Sequence, residues 1–419
     1  MTFLYNIGIY LLLWIADILS LRYPKVKLFC DGQRNLIADI QNAVTHHSPI
    51  IWIHCSSAGE FEQASTIVEW YKRERPQYKI LLTFFSPNGY LLRKNYEKAD
   101  WVFYLPADTL SNARRFIAAV KPAKAIFIKY EFWYNYLREL KKNGIETYIV
   151  AAIFRPSQYF FQWYGRPFRK ILECYTKIFL QDEQSYKLLE SIGISRNTAI
   201  CGDTRFDRVC NTTINNRKFP IIEKFAEDAF TFIAGSTWEP DEEIIADAAK
   251  HFPRIKLIIA PHETDKSRID SVMERFRNFN IVKLSSLNEE YAIHNLHDAN
   301  VLVIDCVGIL SSIYRYGKFA YIGGGFGAGI HNILEPASYN LPVVFGPNHK
   351  KFREAKELLA AGGATCIRNK QELYSLLQLY VNTPSAIAER GDICRKYIES
   401  NIGATLKIIS QIEFKSTTI

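Results

Sequence analysis

The residues best able to do chemistry stand where apolar runs give way to serine- or glycine-rich turns. In IHCSSAGEFE (53–62), Glu60 falls at the opening of a helix just past a strand. A carboxylate held there can take a proton from an incoming hydroxyl. It can equally be a first-turn acid set against the helix dipole. In KYEFW (129–133), Lys129 and Glu131 flank aromatic rings, again after a strand end. A cation for a carboxylate and rings for a sugar face would suit a sugar acid, and a solvated ion pair beside an aromatic cluster is the plainer alternative. GDTRFD (202–207) offers Asp203 and Arg205, either to a ligand or as a polar surface loop.

Two further strand ends carry anion-binding chemistry. In AGSTWE (234–239), backbone N–H groups with the Ser236 and Thr237 hydroxyls could hold a phosphate, or one hydroxyl could simply cap the helix. In APHE (260–263), His262 is a phosphate or base contact or a surface histidine. The longest such stretch is GGGFGAGIHNILEPASYNLPVVFGP (323–347). Its glycines, Gly325 among them, let the backbone approach a ligand. His331 and Asn332 follow, and Glu335 could accept hydrogen bonds from ribose hydroxyls or act as an ordinary first-turn acid. GGGFGAG completes G-x-G-x-x-G in no register, and no Walker A sequence, nucleophile elbow or HExxH occurs.

These motifs need a frame that brings strand ends together. Short apolar runs alternate with helical patterns over 27–204, then restart at 230 and continue to 367. That rhythm predicts parallel sheets covered on both faces. The expected organisation is an N-terminal anchor at 1–22, a first Rossmann-like unit at 23–210 and a polar linker at 211–219. A second unit at 220–384 and a helix at 385–419 returning to the first complete it. Ligands in such folds bind at the carboxyl ends of the strands, which makes a cleft between the units the expected site.

The chain has 419 residues, 48% hydrophobic and 23% charged, a composition that excludes intrinsic disorder. Its net charge of +9 suits an anionic substrate, an anionic membrane or nucleic acid. The basic pairs are dispersed, with no basic stripe or RNA motif, which argues against nucleic acid. Eight scattered cysteines without a C-x-x-C point to reduced thiols rather than a disulfide framework or zinc site. His294 and His297 have metal-like spacing but no third ligand, and read as a solvated helix face. FLYNIGIYLLLWIADILSL (3–21) is about one bilayer thickness if helical, and Arg22, Lys25 and Lys27 follow it. The positive-inside rule then puts the rest of the chain in the cytoplasm. The segment either spans, lies in one leaflet, or is a buried amphipathic helix.

Seven motifs together resemble the Kdo transferase family, enzymes that attach 3-deoxy-D-manno-oct-2-ulosonic acid (Kdo) to a lipid A precursor. They are WIHCSSAGEFEQ, LPADTLSNARRFIAAVKP, FIKYEFWYNYL, GDTRFDRV, AGSTWEPDEE, APHE and the 323–347 stretch, in family order and spread over both halves. The resemblance implies a GT-B glycosyltransferase with two Rossmann-like domains facing across a cleft and an anchor at the cytoplasmic face of the inner membrane. It implies CMP-Kdo as donor, inversion at the anomeric carbon, and no cofactor or metal for the transfer step. By motif, Glu60 is the expected general base, with Glu131 and Lys129 in the catalytic cleft. Asp203 and Arg205 would face that cleft, and Ser236, Thr237, His262, Gly325, His331, Asn332 and Glu335 would surround CMP-Kdo.

The sequence departs from the family pattern in three places. Arg205 stands where relatives commonly carry lysine. His262 directly follows Pro261, leaving a basic contact missing or supplied by Lys266 or Arg268. Ile330 occupies a usual glycine position. Two other classes share parts of this pattern: soluble GT-B nucleotide-sugar 2-epimerases, and a non-catalytic, basic, membrane-attached scaffold.

Overall fold

A computed structural model describes residues 2–45, 48–214, 217–287, 296 and 298–414. His294 and His297 lie outside the described residues. The chain divides into two compact units, Met1–Arg208 with Ile402–Ile419, and Val209–Asn401.

The first unit is built on strands β1 (Ile50–Cys55), β2 (Lys79–Phe84), β3 (Trp101–Tyr104), β4 (Lys124–Ile128), β5 (Glu146–Ala152), β6 (Lys177–Leu180) and β7 (Thr198–Ile200). They form one parallel sheet in the order β3-β2-β1-β4-β5-β6-β7. The order reverses at β1, so β1 and β4 lie side by side although two strands separate them in sequence. Every residue of β1 is buried, because helices cover both faces of the sheet. Ile50 and Trp52 face a core shared with Phe116, Tyr136 and Leu140. Ile51, Ile53 and Cys55 face the opposite core, with Phe61, Ile67 and Tyr71 of the Ala58–Glu74 helix. Ile408, Ile409 and Ile412 complete that second core, contributed by the Ala404–Glu413 helix from the far end of the chain.

The second unit repeats the plan with β8 (Phe230–Thr237), β9 (Ile255–Pro261), β10 (Ile281–Lys283), β11 (Val301–Val303), β12 (Phe319–Ile322), β13 (Val343–Phe345) and β14 (Ala364–Cys366). Its parallel sheet runs β10-β11-β9-β8-β12-β13-β14, with the reversal at β8 and β12. The rings of Phe232 and Phe319 stack at 4.9 Å across that central pair. Helices Glu239–Ala249, Lys266–Arg275 and Lys370–Asn382 supply Ile245, Val272, Leu377 and Tyr380 to the core beside it.

Two boundaries differ from the sequence expectation. Asn211 to Ile214, expected to begin a linker at 211–219, instead continue the Thr204–Ile214 helix. Within that helix the Thr213 hydroxyl donates back to the Val209 carbonyl at 2.7 Å instead of leading the chain out of it. The expected single C-terminal helix is two helices, Pro384–Asn401 in the second unit and Ala404–Glu413 in the first. Gly403, at φ +98°, breaks them in a left-handed conformation that costs a glycine little. The Asp207 carboxylate then accepts from the backbone N–H of Gly403 and of Thr405, capping the second helix.

At the N-terminus, α1 (Thr2–Ser20) runs into α2 (Pro24–Gln33), and both belong to the first unit. α1 is long and apolar enough to cross a membrane.

Candidate active site

Each unit gathers its motif residues where its strand order reverses, the usual ligand position in doubly wound sheets. In the first unit β1 delivers Ser57 to the start of the Ala58–Glu74 helix, where its hydroxyl accepts from the Gly59 N–H at 3.2 Å. Glu60 follows in the first turn, half-buried, with the Ser57 hydroxyl donating to its carboxylate. The turn thus fixes one carboxylate rotamer and leaves it reachable.

Beside it, β4 is followed directly by Lys129, whose backbone is held at φ +74°. That conformation is unfavourable for a residue with a Cβ and is tolerated where surrounding structure enforces it. It turns the chain so that the Lys129 ammonium lies 5.5 Å from the Tyr130 ring centroid, with the Arg155 guanidinium 5.7 Å from the same ring. Burial raises the Tyr130 hydroxyl above its usual pKa; nearby Asp182 and Glu60 add to the effect, while Arg155 and Arg205 oppose it. Three separate sequence motifs therefore meet around this one ring. The Tyr130 hydroxyl is buried and has no hydrogen-bond partner among the described residues.

Glu131 is differently placed. It is 4% exposed, its carboxylate accepts from the Trp133 indole N–H, and it lies 3.4 Å from His54 Nε2. His54 is itself buried and held at Nδ1 by the Thr83 hydroxyl, 2.9 Å away, and carbonyl, 3.1 Å away. Glu131 is thus an internal acceptor behind the turn rather than a group at its mouth. Asp203 is also buried, accepting from Arg205 at 2.9 Å and 2.7 Å and from Gln63 at 3.2 Å. Burial pushes its carboxyl up, but the Arg205 guanidinium and these hydrogen bonds outweigh it and hold it below the usual range.

In the second unit Ser236, the second-last residue of β8, is held at φ +54° and half-buried. Thr237 is fully buried, and its hydroxyl donates inward to Glu242 at 2.8 Å, away from any ligand position. Glu242 is the buried partner of Arg268, so Arg268 is committed to that pair and does not replace the basic contact missing before His262. Lys266 remains exposed.

The glycine turn after β12 packs directly on β8. A Cβ at Gly323 would lie 2.3 Å from the Ser236 carbonyl oxygen, and one at Gly325 would lie 2.4 Å from the Gly346 nitrogen. Asp241, not anticipated from sequence, holds this turn. It is buried and accepts from Gly324 N–H at 2.8 Å, Trp238 N–H at 2.9 Å and the Tyr321 hydroxyl at 2.8 Å. Its signal was present as the acid three residues into a helix that Trp238 opens.

Above the turn, Trp238, His262 and His331 form a stack, with centroid separations of 4.8 Å and 4.3 Å. The Trp238 indole N–H donates to His331 Nε2 at 3.2 Å, which requires that nitrogen to be unprotonated. Burial and the neighbouring His262 lower the His331 pKa to about 4, keeping it neutral. Asn332 donates to Glu335 at 3.1 Å, while its own oxygen accepts from the Leu334 N–H at 3.0 Å, so the two polar residues act as one pair. Ile330, in the unusual position, is buried, and its size is absorbed by the core. Among the described residues no group of three or more His, Cys, Asp or Glu side chains could hold a metal ion.

The fold recurs in solved structures. UDP-GlcNAc 2-epimerase from Neisseria meningitidis aligns with a TM-score of 0.59 at 15% identity, covering 87% of this chain and 99% of that one. MurG from Acinetobacter baumannii aligns with a TM-score of 0.54 at 10% identity, again covering 87% and 99%. The chain therefore has the two-domain α/β architecture of the GT-B class. A family model for 3-deoxy-D-manno-octulosonic-acid transferase matches residues 32–208. A 3-deoxy-D-manno-octulosonic acid transferase from Aquifex aeolicus is 28% identical over 78% of this chain and 84% of its own length. Residues 32–208 thus match a Kdo transferase domain, and most of the chain is similar to a Kdo transferase.

Proposed function

We propose that this chain transfers Kdo from CMP-Kdo to a hydroxyl of a lipid A precursor, a step of lipopolysaccharide biosynthesis, at the cytoplasmic face of the inner membrane. Glu60 carries the reading: it is the half-buried carboxylate at the β1–β4 reversal, oriented by Ser57. Glu60 takes the proton of the acceptor hydroxyl as the oxygen attacks the anomeric carbon of Kdo. The bond from that carbon to the CMP phosphate oxygen breaks, and CMP leaves with the electron pair. A single displacement of this kind inverts the anomeric centre.

Lys129, beside the Tyr130 ring, and Arg205 supply positive charge toward the sugar carboxylate and departing phosphate. Glu131 holds Trp133 and His54 in place behind them. In the second unit the backbone at Ser236, the His262–His331 stack and the Asn332–Glu335 pair receive the CMP portion, Glu335 at the ribose, while Gly325 lets the turn pack closely on Gly346.

Mass spectrometry of a tetra-acylated lipid A precursor incubated with CMP-Kdo tests this. Wild type should add Kdo mass, and Glu60→Gln, folded by circular dichroism, should lose a factor of about 10²–10⁴ in rate. No mass gain with wild type would overturn the acceptor assignment. Donor turnover without acceptor would favour the epimerase reading, and full activity in Glu60→Gln would remove its role as base.

A further inference from the structure

We infer that α1 lies in the plane of one anionic leaflet, bound along the first unit, and does not span the bilayer. The inference deepens the membrane part of the proposed function and rests on it. The first turn of α1 is fastened to the body of the unit. The Tyr5 hydroxyl donates to the Asp108 carboxylate at 2.6 Å, Asn135 donates to Asn6 at 2.9 Å, and the rings of Tyr5 and Tyr134 sit 5.0 Å apart. The last turn is tied to the same unit through α2. A helix of 19 residues is roughly 28 Å long. If it crossed the hydrocarbon core, Tyr5 and Asn6 would sit a membrane thickness away from Asp108 and Asn135. Both ends cannot touch one domain and also lie on opposite sides of a bilayer.

The side-chain pattern agrees. Tyr5, Asn6, Ile9, Leu13, Ala16 and Ser20 recur at helical spacing and are the part-covered face. The remaining surface is almost wholly apolar and uncovered, with Phe3 75%, Leu12 62% and Trp14 61% exposed. With one edge fastened to the body, the uncovered apolar surface is left for a leaflet to cover.

Charge selects the occupant. Past the C-terminal end of α1 come Arg22, Lys25 and Lys27, all exposed. At the N-terminal end, Tyr134 lines an open cavity of about 590 Å³ whose walls also carry Arg138, Lys141, Lys142 and Lys170, with no carboxylate among its described lining residues. Cations at both ends of an apolar helix match a surface of anionic headgroups at one depth. Trp163, 92% exposed, projects from the segment just past Tyr159, which lies near Tyr5. It suits the headgroup boundary.

The test uses the full chain with an N-terminal epitope tag, bound to sealed vesicles of phosphatidylethanolamine and phosphatidylglycerol. In outward-facing molecules, an impermeant protease should remove the tag and digest the body together. A tag protected inside the vesicle while the body is digested would overturn the inference. Arg138→Gln with Lys170→Gln should weaken vesicle binding roughly fivefold per cation removed, as should replacing phosphatidylglycerol by phosphatidylcholine for wild type. Leu11→Asp with Ile18→Asp, both exposed and needed for no core, should abolish binding while the melting temperature holds. Equal wild-type binding to neutral and anionic vesicles, or binding unchanged in these variants, would overturn the anionic-leaflet assignment. None of these readouts depends on turnover, so a chain that transfers no Kdo would fail the proposed function and leave this result standing.

Discussion

At the residue scale, Glu60 and Glu131 are two carboxylates given different work by their surroundings. Glu60 is reachable and Glu131 is enclosed by Trp133 and His54. Glu60→Gln should therefore lose turnover with its melting temperature intact. Glu131→Ala should lose both, because it strips the Trp133 indole of its acceptor in a buried place. Tyr130 gives the converse case. Its hydroxyl has no partner among the described residues, so Tyr130→Phe removes no hydrogen bond from the free enzyme. We expect an unchanged melting temperature and a kcat/KM roughly tenfold lower, as the ligand loses one donor. His331 makes the fold sensitive to acid. Its pKa falls from the ordinary value to about 4 on folding, so the unfolded chain binds the extra proton first. That contribution to stability is complete above about pH 6.5 and is lost as pH falls toward 4. Urea midpoints measured at pH 7 and pH 4.5 should differ less in His331→Gln than in wild type.

At the scale of elements, the strands were readable because each is a short, doubly buried apolar run. The rhythm read over 27–204 and from 230 to 367 contains the strands of both sheets, at 50–200 and 230–366. The turns were readable as positions but not as orientations. Thr237 looked like a phosphate ligand because hydroxyls at a helix start commonly are, yet its side chain rotates inward to Glu242, a partner five residues on. Asp241 and His54 escaped notice because their partners, Gly324 and Glu131, are distant in sequence and meet only through sheet order. The Gly323 contact is a sharp test of the turn. Gly323→Ala would force a Cβ onto the Ser236 carbonyl, with no flexible atom to yield, and should destabilise the second unit by about 3 kcal/mol. Asp207 presents a milder case: Asp207→Ala removes the cap of the Ala404–Glu413 helix and should cost about 1 kcal/mol in chemical denaturation.

At the scale of the whole molecule, composition and rhythm pointed to two α/β units, and the structure contains two. Of the expected C-terminal helix returning to the first unit, only Ala404–Glu413 belongs to that unit, while Pro384–Asn401 stays in the second. The return depends on one left-handed glycine, Gly403, and on a core that accepts Ile408, Ile409 and Ile412. Neither has a local signature that separates it from an ordinary terminal helix. This arrangement sets an order of events during synthesis. The ribosome must make all of Val209–Asn401 before the last helix of the first unit can emerge. At ordinary elongation rates that wait is roughly 10–40 s. Throughout it, the sheet face bearing Ile51, Ile53 and Ile80 lacks its final cover. The nascent chain is thus longest exposed at the domain it began first, and synthesis halted at Gly403 would leave that domain, not the recently made one, unfinished.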